Sequence, residues 1–230
     1  ILEHGQQTPG VAAALTRKEA PEYVDQINAI YRTRHTMDDL TRVTIDRKVY
    51  FLVLAAGHRR HQTCLWINTQ IQSGGDIVYS EKYNGKYRVE LRFGLTAKEA
   101  IALQFNENRH ASVPPHEEAR AAWDFWRWLQ SQDTQLTVTH FGRIIGRTPD
   151  WVRSAMRFCT LPESVQGYVD GRTNSIQLPY GVLVEVARLA DGYKALTNEE
   201  LSEEAHHAWI RKAILGRLDA TKFGHMISEY

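Results

Sequence analysis

The sequence predicts an α+β protein, with a small mixed α/β front half, a proline break and an all-helical back half. Three observations carry this. Two continuous apolar runs of strand length, 11–15 (VAAAL) and 49–56 (VYFLVLAA), read as buried strands. Asn84-Gly85, the favoured pair for a two-residue type I′ turn, sits between residues that alternate apolar and polar. Beyond Val113-Pro114-Pro115 every segment carries apolar residues at helical spacing. The expected division is a first domain over 1–113, a helical domain over 114–195 and a helical tail over 196–230.

The elements follow in order. After the strand at 11–15, residues 19–40 read as helical, with Tyr23, Ile27, Ile30 and Tyr31 at helical spacing. The strand at 49–56 leads into a helix over 60–72. Ile77, Tyr79, Tyr83, Tyr87, Val89, Leu91 and Phe93 form the apolar face of the expected hairpin. Thr96 caps a helix over 97–107. Past the prolines, Ala119, Ala122, Trp123, Trp126 and Leu129 line one helix face, and the Trp123–Trp128 aromatics read as helix core. Further helices are expected over 164–170, 178–190 and 198–218. In the last of these, Ala208, Ile210, Ala213, Ile214 and Leu218 form an apolar stripe that reads either as a dimer contact or as packing on its own domain.

Residues Leu136–Pro162 read as two short helices joined at Gly146, a helix-turn-helix. Thr137 and Thr148 stand at N-cap positions, and Pro149 takes the first position of the second helix. Phe141, Ile144 and Ile145 make the apolar stripe of the first helix, and Gly142 marks close approach of a second helix. Val152, Ala155 and Met156 are expected to face inward, and Asp150, Trp151, Arg153, Ser154 and Arg157 outward. Outward arginines and a serine suit contact with base edges and phosphates. The candidate DNA-binding residues are therefore Thr137, Arg147, Thr148, Asp150, Trp151, Arg153, Ser154 and Arg157.

Composition sets bounds. The 230 residues are 43% hydrophobic and carry a formal net charge of only +1, which excludes a broadly basic nucleic-acid coat. Attraction to DNA must be local: Arg143, Arg147, Arg153 and Arg157 against Asp150 leave an excess of +3 over 136–162. Cys64 and Cys159, the only cysteines, make neither a disulfide framework nor a zinc site, so a reducing cytoplasm is expected. Cys64, beside Leu65 and Trp66, reads as core rather than nucleophile. No apolar run is long enough to span a membrane, and no signal peptide is visible. The chain opens with Ile1, which reads as the start of a trimmed chain.

A second constellation concerns phosphate. Gly57-His58-Arg59-Arg60-His61 follows the strand at 49–56 and opens a helix, so free amides, the helix dipole and two guanidiniums meet at one place. Asn106-Glu107-Asn108-Arg109 ends the helix before the boundary, and Glu107 is a candidate magnesium ligand.

Taken in order, EHGQQTP, AAGHRRHQT, NENRHASVPPHEEA, the helix-turn-helix and LPESVQGYVDG resemble the ParB family of DNA-partition proteins over roughly residues 2–190. The resemblance implies a ParB/sulfiredoxin-like N-terminal domain that binds CTP with Mg2+, and a helical domain that reads a palindromic site on double-stranded DNA. It further implies a cytoplasmic homodimer that closes as a clamp on DNA, works with a ParA-type ATPase, and uses weak CTP hydrolysis as a switch. By position, Gly57, Arg59 and Arg60, with His58 between them, fall on the family's phosphate motif. Asn106, Glu107 and Arg109 fall at its ENxxR motif, with Ala111 at the third place after Asn108, and Gln7 and Thr8 lie in its early turn before Pro9. Two other readings use the same residues: a helix-turn-helix transcriptional regulator without CTP switching, and a nucleotide-dependent nuclease or kinase on the same fold.

Overall fold

The computed structural model describes residues 8–74, 85–108, 113–173 and 176–228. The architecture is mixed: a four-stranded sheet and ten α-helices among the described residues. The chain forms two compact units, residues 1–112 with 144–146, and residues 113–143 with 147–230.

The first unit is built on the sheet β2-β3-β1-β4, with β1 Gly10–Leu15, β2 Thr41–Ile45, β3 Lys48–Ala56 and β4 Val89–Phe93. Strand β1 is central, antiparallel to β3 and parallel to β4. Both of its faces are covered, which is why VAAAL lacks alternation: Ala12, Ala13, Ala14 and Leu15 are all buried. Helix α1 (Ala20–Tyr31) and helix α3 (Ala97–Asn108) bring Ala20, Tyr23, Ala97 and Ala100 against Ala13, Leu15, Phe51 and Ala55. Helix α2 (His58–Gln72) contributes a smaller cluster of Cys64 and Ile67 with Tyr87 packed on it. A capping box starts α3: the Thr96 amide donates to the Glu99 carboxylate at 2.9 Å and the Glu99 amide to the Thr96 hydroxyl at 3.2 Å; the same reciprocal pair, Thr16 with Glu19, closes the turn that leads into α1.

Two expectations need correction here. The helix read over 19–40 stops at Tyr31, where Arg32 turns left-handed at φ 54°. The residues after it form a short 3-10 turn and then β2, which pairs antiparallel with β3 through a two-residue turn at Asp46-Arg47, both at positive φ. Asp46 suits the first position of such a turn, but Arg47 stands where glycine is usual, so no Asn-Gly or Asp-Gly signal showed in the sequence. The Asn84-Gly85 hairpin lies largely outside the described residues. Of its expected far arm, Val89–Phe93 is a strand, and its described partner is β1, in parallel.

The second unit is helical throughout: α4 Pro115–Gln132, α5 Val138–Ile145, α6 Pro149–Thr160, α7 Glu163–Gln166, α8 Tyr180–Thr197, α9 Glu203–Leu215 and α10 Ala220–Ser228. Its core joins Ala119 of α4, Ala155 and Phe158 of α6, Val182, Leu183 and Val186 of α8, Ile210 and Ala213 of α9, and Phe223 of α10. On α4, Phe125 and Trp126 are buried and hold Phe141 of α5, with ring centroids 5.8 and 5.2 Å apart. The expected stripe on the tail is internal. Ile210 and Ala213 are buried in this core, and Ile214 and Leu218 pack against it, the second of the two readings given for it. Among the described residues no helix is long and apolar enough to cross a membrane.

Candidate nucleotide cradle and DNA interface

Strand β3 delivers its last buried residues, Ala55 and Ala56, directly to Gly57, the N-cap of α2 at φ 96°. A side chain here would be strained, and its Cβ would stand 2.2 Å from the Tyr87 hydroxyl and 3.1 Å from Arg60 Nη2. The Tyr87 hydroxyl donates to the Gly57 carbonyl at 2.8 Å, and its ring lies against His61. Burial raises the Tyr87 phenol pKa above its ordinary value, opposed by the hydrogen bond and charge of Arg60.

The strongest feature of this turn is Glu107, fifty residues along the chain at the end of α3. The Gly57 amide donates to Glu107 Oε2 at 2.6 Å, and Arg60 Nη2 donates to Oε1 at 2.6 Å. Arg60 and Glu107 are about one-third exposed. The Arg60 Nε is buried and has no hydrogen-bond acceptor among the described residues. His58 and Arg59 are exposed on the first turn of α2. Asn106 is turned along its own helix, its amide donating to the Ala102 carbonyl at 2.9 Å. Thr8 is exposed, and Gln7 and Arg109 lie outside the described residues. The structure thus brings Gly57, Arg60 and Glu107 together, with Tyr87 as a fourth member. Sequence reasoning missed Tyr87 because it was counted among the apolar residues of a hairpin.

The helix-turn-helix follows from local chemistry. Thr137 accepts the His140 amide at 3.2 Å and Thr148 accepts the Trp151 amide at 3.2 Å, one cap for each helix. Gly146, at φ 68°, lets the Arg147 amide reach back to the Gly142 carbonyl at 2.8 Å, the Schellman ending of α5. Gly142 is required by this turn and not by a helix crossing: its Cβ would meet the Arg147 carbonyl oxygen at 2.7 Å.

On α6, Val152 and Ala155 are buried and Met156 is half-buried. Asp150 and Arg153 are exposed and paired at 2.6 Å; Ser154 is half-buried. Arg157 pairs with Asp191 of α8 at 2.9 Å. Trp151 does not project as expected. It is half-buried, packs against the core, and carries the Arg147 guanidinium 5.2 Å from its ring centroid. Arg147 in turn is held by Glu118 of α4, its Nε donating at 2.9 Å. Glu118 is buried, so this clasp fixes the turn against α4 and places Arg147 in the scaffold of the motif. The acids Glu118 and Asp191 come from other helices, so the local +3 excess is offset in a way the segment alone does not reveal. Arg143, in the last turn of α5, is exposed and is a further cation on the motif.

No protein-family model matches the chain, and no curated protein matches it. Among solved structures, the chain is similar to the C-terminally truncated chromosome-partitioning protein ParB from Caulobacter crescentus complexed to the centromeric parS site. Identity is 18%, covering 90% of this chain and 88% of that one, with a TM-score of 0.48.

Proposed function

We propose that this is a sequence-specific DNA-binding protein of the ParB type, acting in partition with α6 as its recognition helix. The observation that carries the reading is a fully capped helix-turn-helix that presents Asp150, Arg153, Ser154 and Arg157 while Arg147 and Trp151 lock its base. An exposed ion pair such as Arg153–Asp150 holds little free energy, so its guanidinium exchanges readily onto phosphate or guanine. One such module has a small footprint, and two on half-sites of a palindrome supply affinity and specificity, hence a homodimer on DNA. A ParA-type ATPase as partner follows from the family resemblance.

The cradle at Gly57 supports a nucleotide, CTP by the same resemblance. A phosphate fits what is there: a glycine with no room for a Cβ, the amides opening α2, Arg59, and a buried orphan Nε on Arg60. Bound there, the triphosphate supplies a charge that Arg59 and Arg60 neutralise and the α2 amides orient. A magnesium ion has no seat while the Glu107 carboxylate stays in this place. Both Glu107 oxygens already accept hydrogen bonds, one from a guanidinium, and no cluster of three metal-ligating side chains occurs among the described residues. The occupied cradle also favours a second reading, a helix-turn-helix regulator that never takes up nucleotide. Selection of sites from random duplexes, followed by titration with the four nucleoside triphosphates, tests both. Enriched DNA with CTP-dependent affinity supports the partition reading, and enriched DNA with no nucleotide response supports the regulator.

A further inference from the structure

We infer that Glu107 is a built-in anion that closes the phosphate cradle and must be displaced before a phosphate enters. The inference rests on the nucleotide reading of that cradle and adds to it a residue that opposes binding. Three facts converge. The Glu107 carboxylate takes the Gly57 amide and the Arg60 guanidinium, both at 2.6 Å, the two donors a phosphate would claim. It reaches them from a different element, the end of α3, fifty residues along the chain. Arg60 keeps a buried Nε without an acceptor among the described residues, so the carboxylate covers the site while satisfying it incompletely. A carboxylate offers two oxygens and one negative charge, whereas a terminal phosphate offers three oxygens and more charge. The incoming group can therefore satisfy the Nε that Glu107 leaves bare.

The consequence is a sign that a simple binding residue would not give: removing Glu107 strengthens anion binding. The probe is inorganic triphosphate in excess chelator, titrated by calorimetry into the full chain, into Glu107→Gln and Glu107→Ala, and into Arg60→Ala as the reverse control. We expect affinity to rise on the order of tenfold in both Glu107 variants, the size of one charge-assisted hydrogen bond that no longer competes, and to fall in Arg60→Ala. In wild type, the Gly57 amide resonance should shift on adding triphosphate. In Glu107→Gln it should start away from its wild-type position, having lost its carboxylate acceptor, and should converge on the wild-type bound position at saturation, a readout that does not depend on affinity. Equal affinity for wild type and both Glu107 variants, or weaker binding by them, overturns the closing role and leaves the cradle as a phosphate site. Absence of triphosphate binding by every protein, Glu107 variants included, overturns the cradle and the inference together, while DNA selection stands or falls separately.

Discussion

The Glu118–Arg147 clasp makes the sharpest stability prediction. Glu118→Ala leaves a guanidinium with 21% of its side chain exposed and no acceptor, in a site where the carboxylate itself was 10% exposed. Removing one partner of a fully buried pair costs about 3–5 kcal/mol, because the other charge stays desolvated. Here Arg147 keeps its contact with the Trp151 ring and reaches some water, which lowers the expected cost to about 2 kcal/mol. That corresponds to a fall in Tm of about 6–10 °C for a helical unit of this size. Calorimetry on the wild type, Glu118→Ala, Arg147→Met and the double variant closes a mutant cycle. The methionine keeps an apolar stem against Trp151 while removing the charge, so the double variant should recover a large part of the loss. A cost for Glu118→Ala below about 0.5 kcal/mol, with no coupling in the cycle, would show that the pair is a solvated surface contact and that the clasp does not hold the turn.

Gly142→Ala should destabilise by about 1–3 kcal/mol in chemical denaturation, because its Cβ meets a backbone carbonyl at 2.7 Å that the Schellman turn cannot move. Gly57→Ala should cost about as much through positive φ and the Tyr87 hydroxyl, and should weaken triphosphate binding; unchanged stability would remove the close-packed cradle. Hydrogen bonds from Thr16 and Thr96 hold the Glu19 and Glu99 carboxyls below their ordinary pKa. These carboxylates therefore stabilise the fold above the usual carboxylate range, and that stability is lost as pH falls through their lowered values. An acid titration of Thr96→Ala should accordingly be shallower than that of wild type.

The sequence was legible where a signal is local. The buried strands β1 and β3 show as unbroken apolar runs, and both helices of the helix-turn-helix show through Thr137, Gly146 and Thr148-Pro149, each of which acts within five residues of itself. Strand β2 was not legible because it is a short edge strand, mostly exposed, whose TRVTI pattern looks like a polar connection. The long-range contacts were also hidden. Glu118 lies 29 residues from Arg147 and Glu107 lies 50 from Gly57, so nothing in either local pattern pairs them. Trp151 reads as outward from helical spacing alone, and turns half inward because Arg147 and the core give its ring two partners. The tail stripe was ambiguous by nature, since an apolar face looks the same whether it meets a second copy or its own core.

The most direct test is binding of the full chain to a palindromic duplex recovered from a random library, read by fluorescence anisotropy with stoichiometry from light scattering. The predicted result is two chains per palindrome, with Arg153→Ala and Arg157→Ala each losing on the order of tenfold or more in specific affinity, in line with about 1–3 kcal/mol per base-reading contact. Failure of any sequence to enrich over random DNA, or wild-type affinity in both variants, would contradict α6 as a recognition helix and with it the DNA-binding reading.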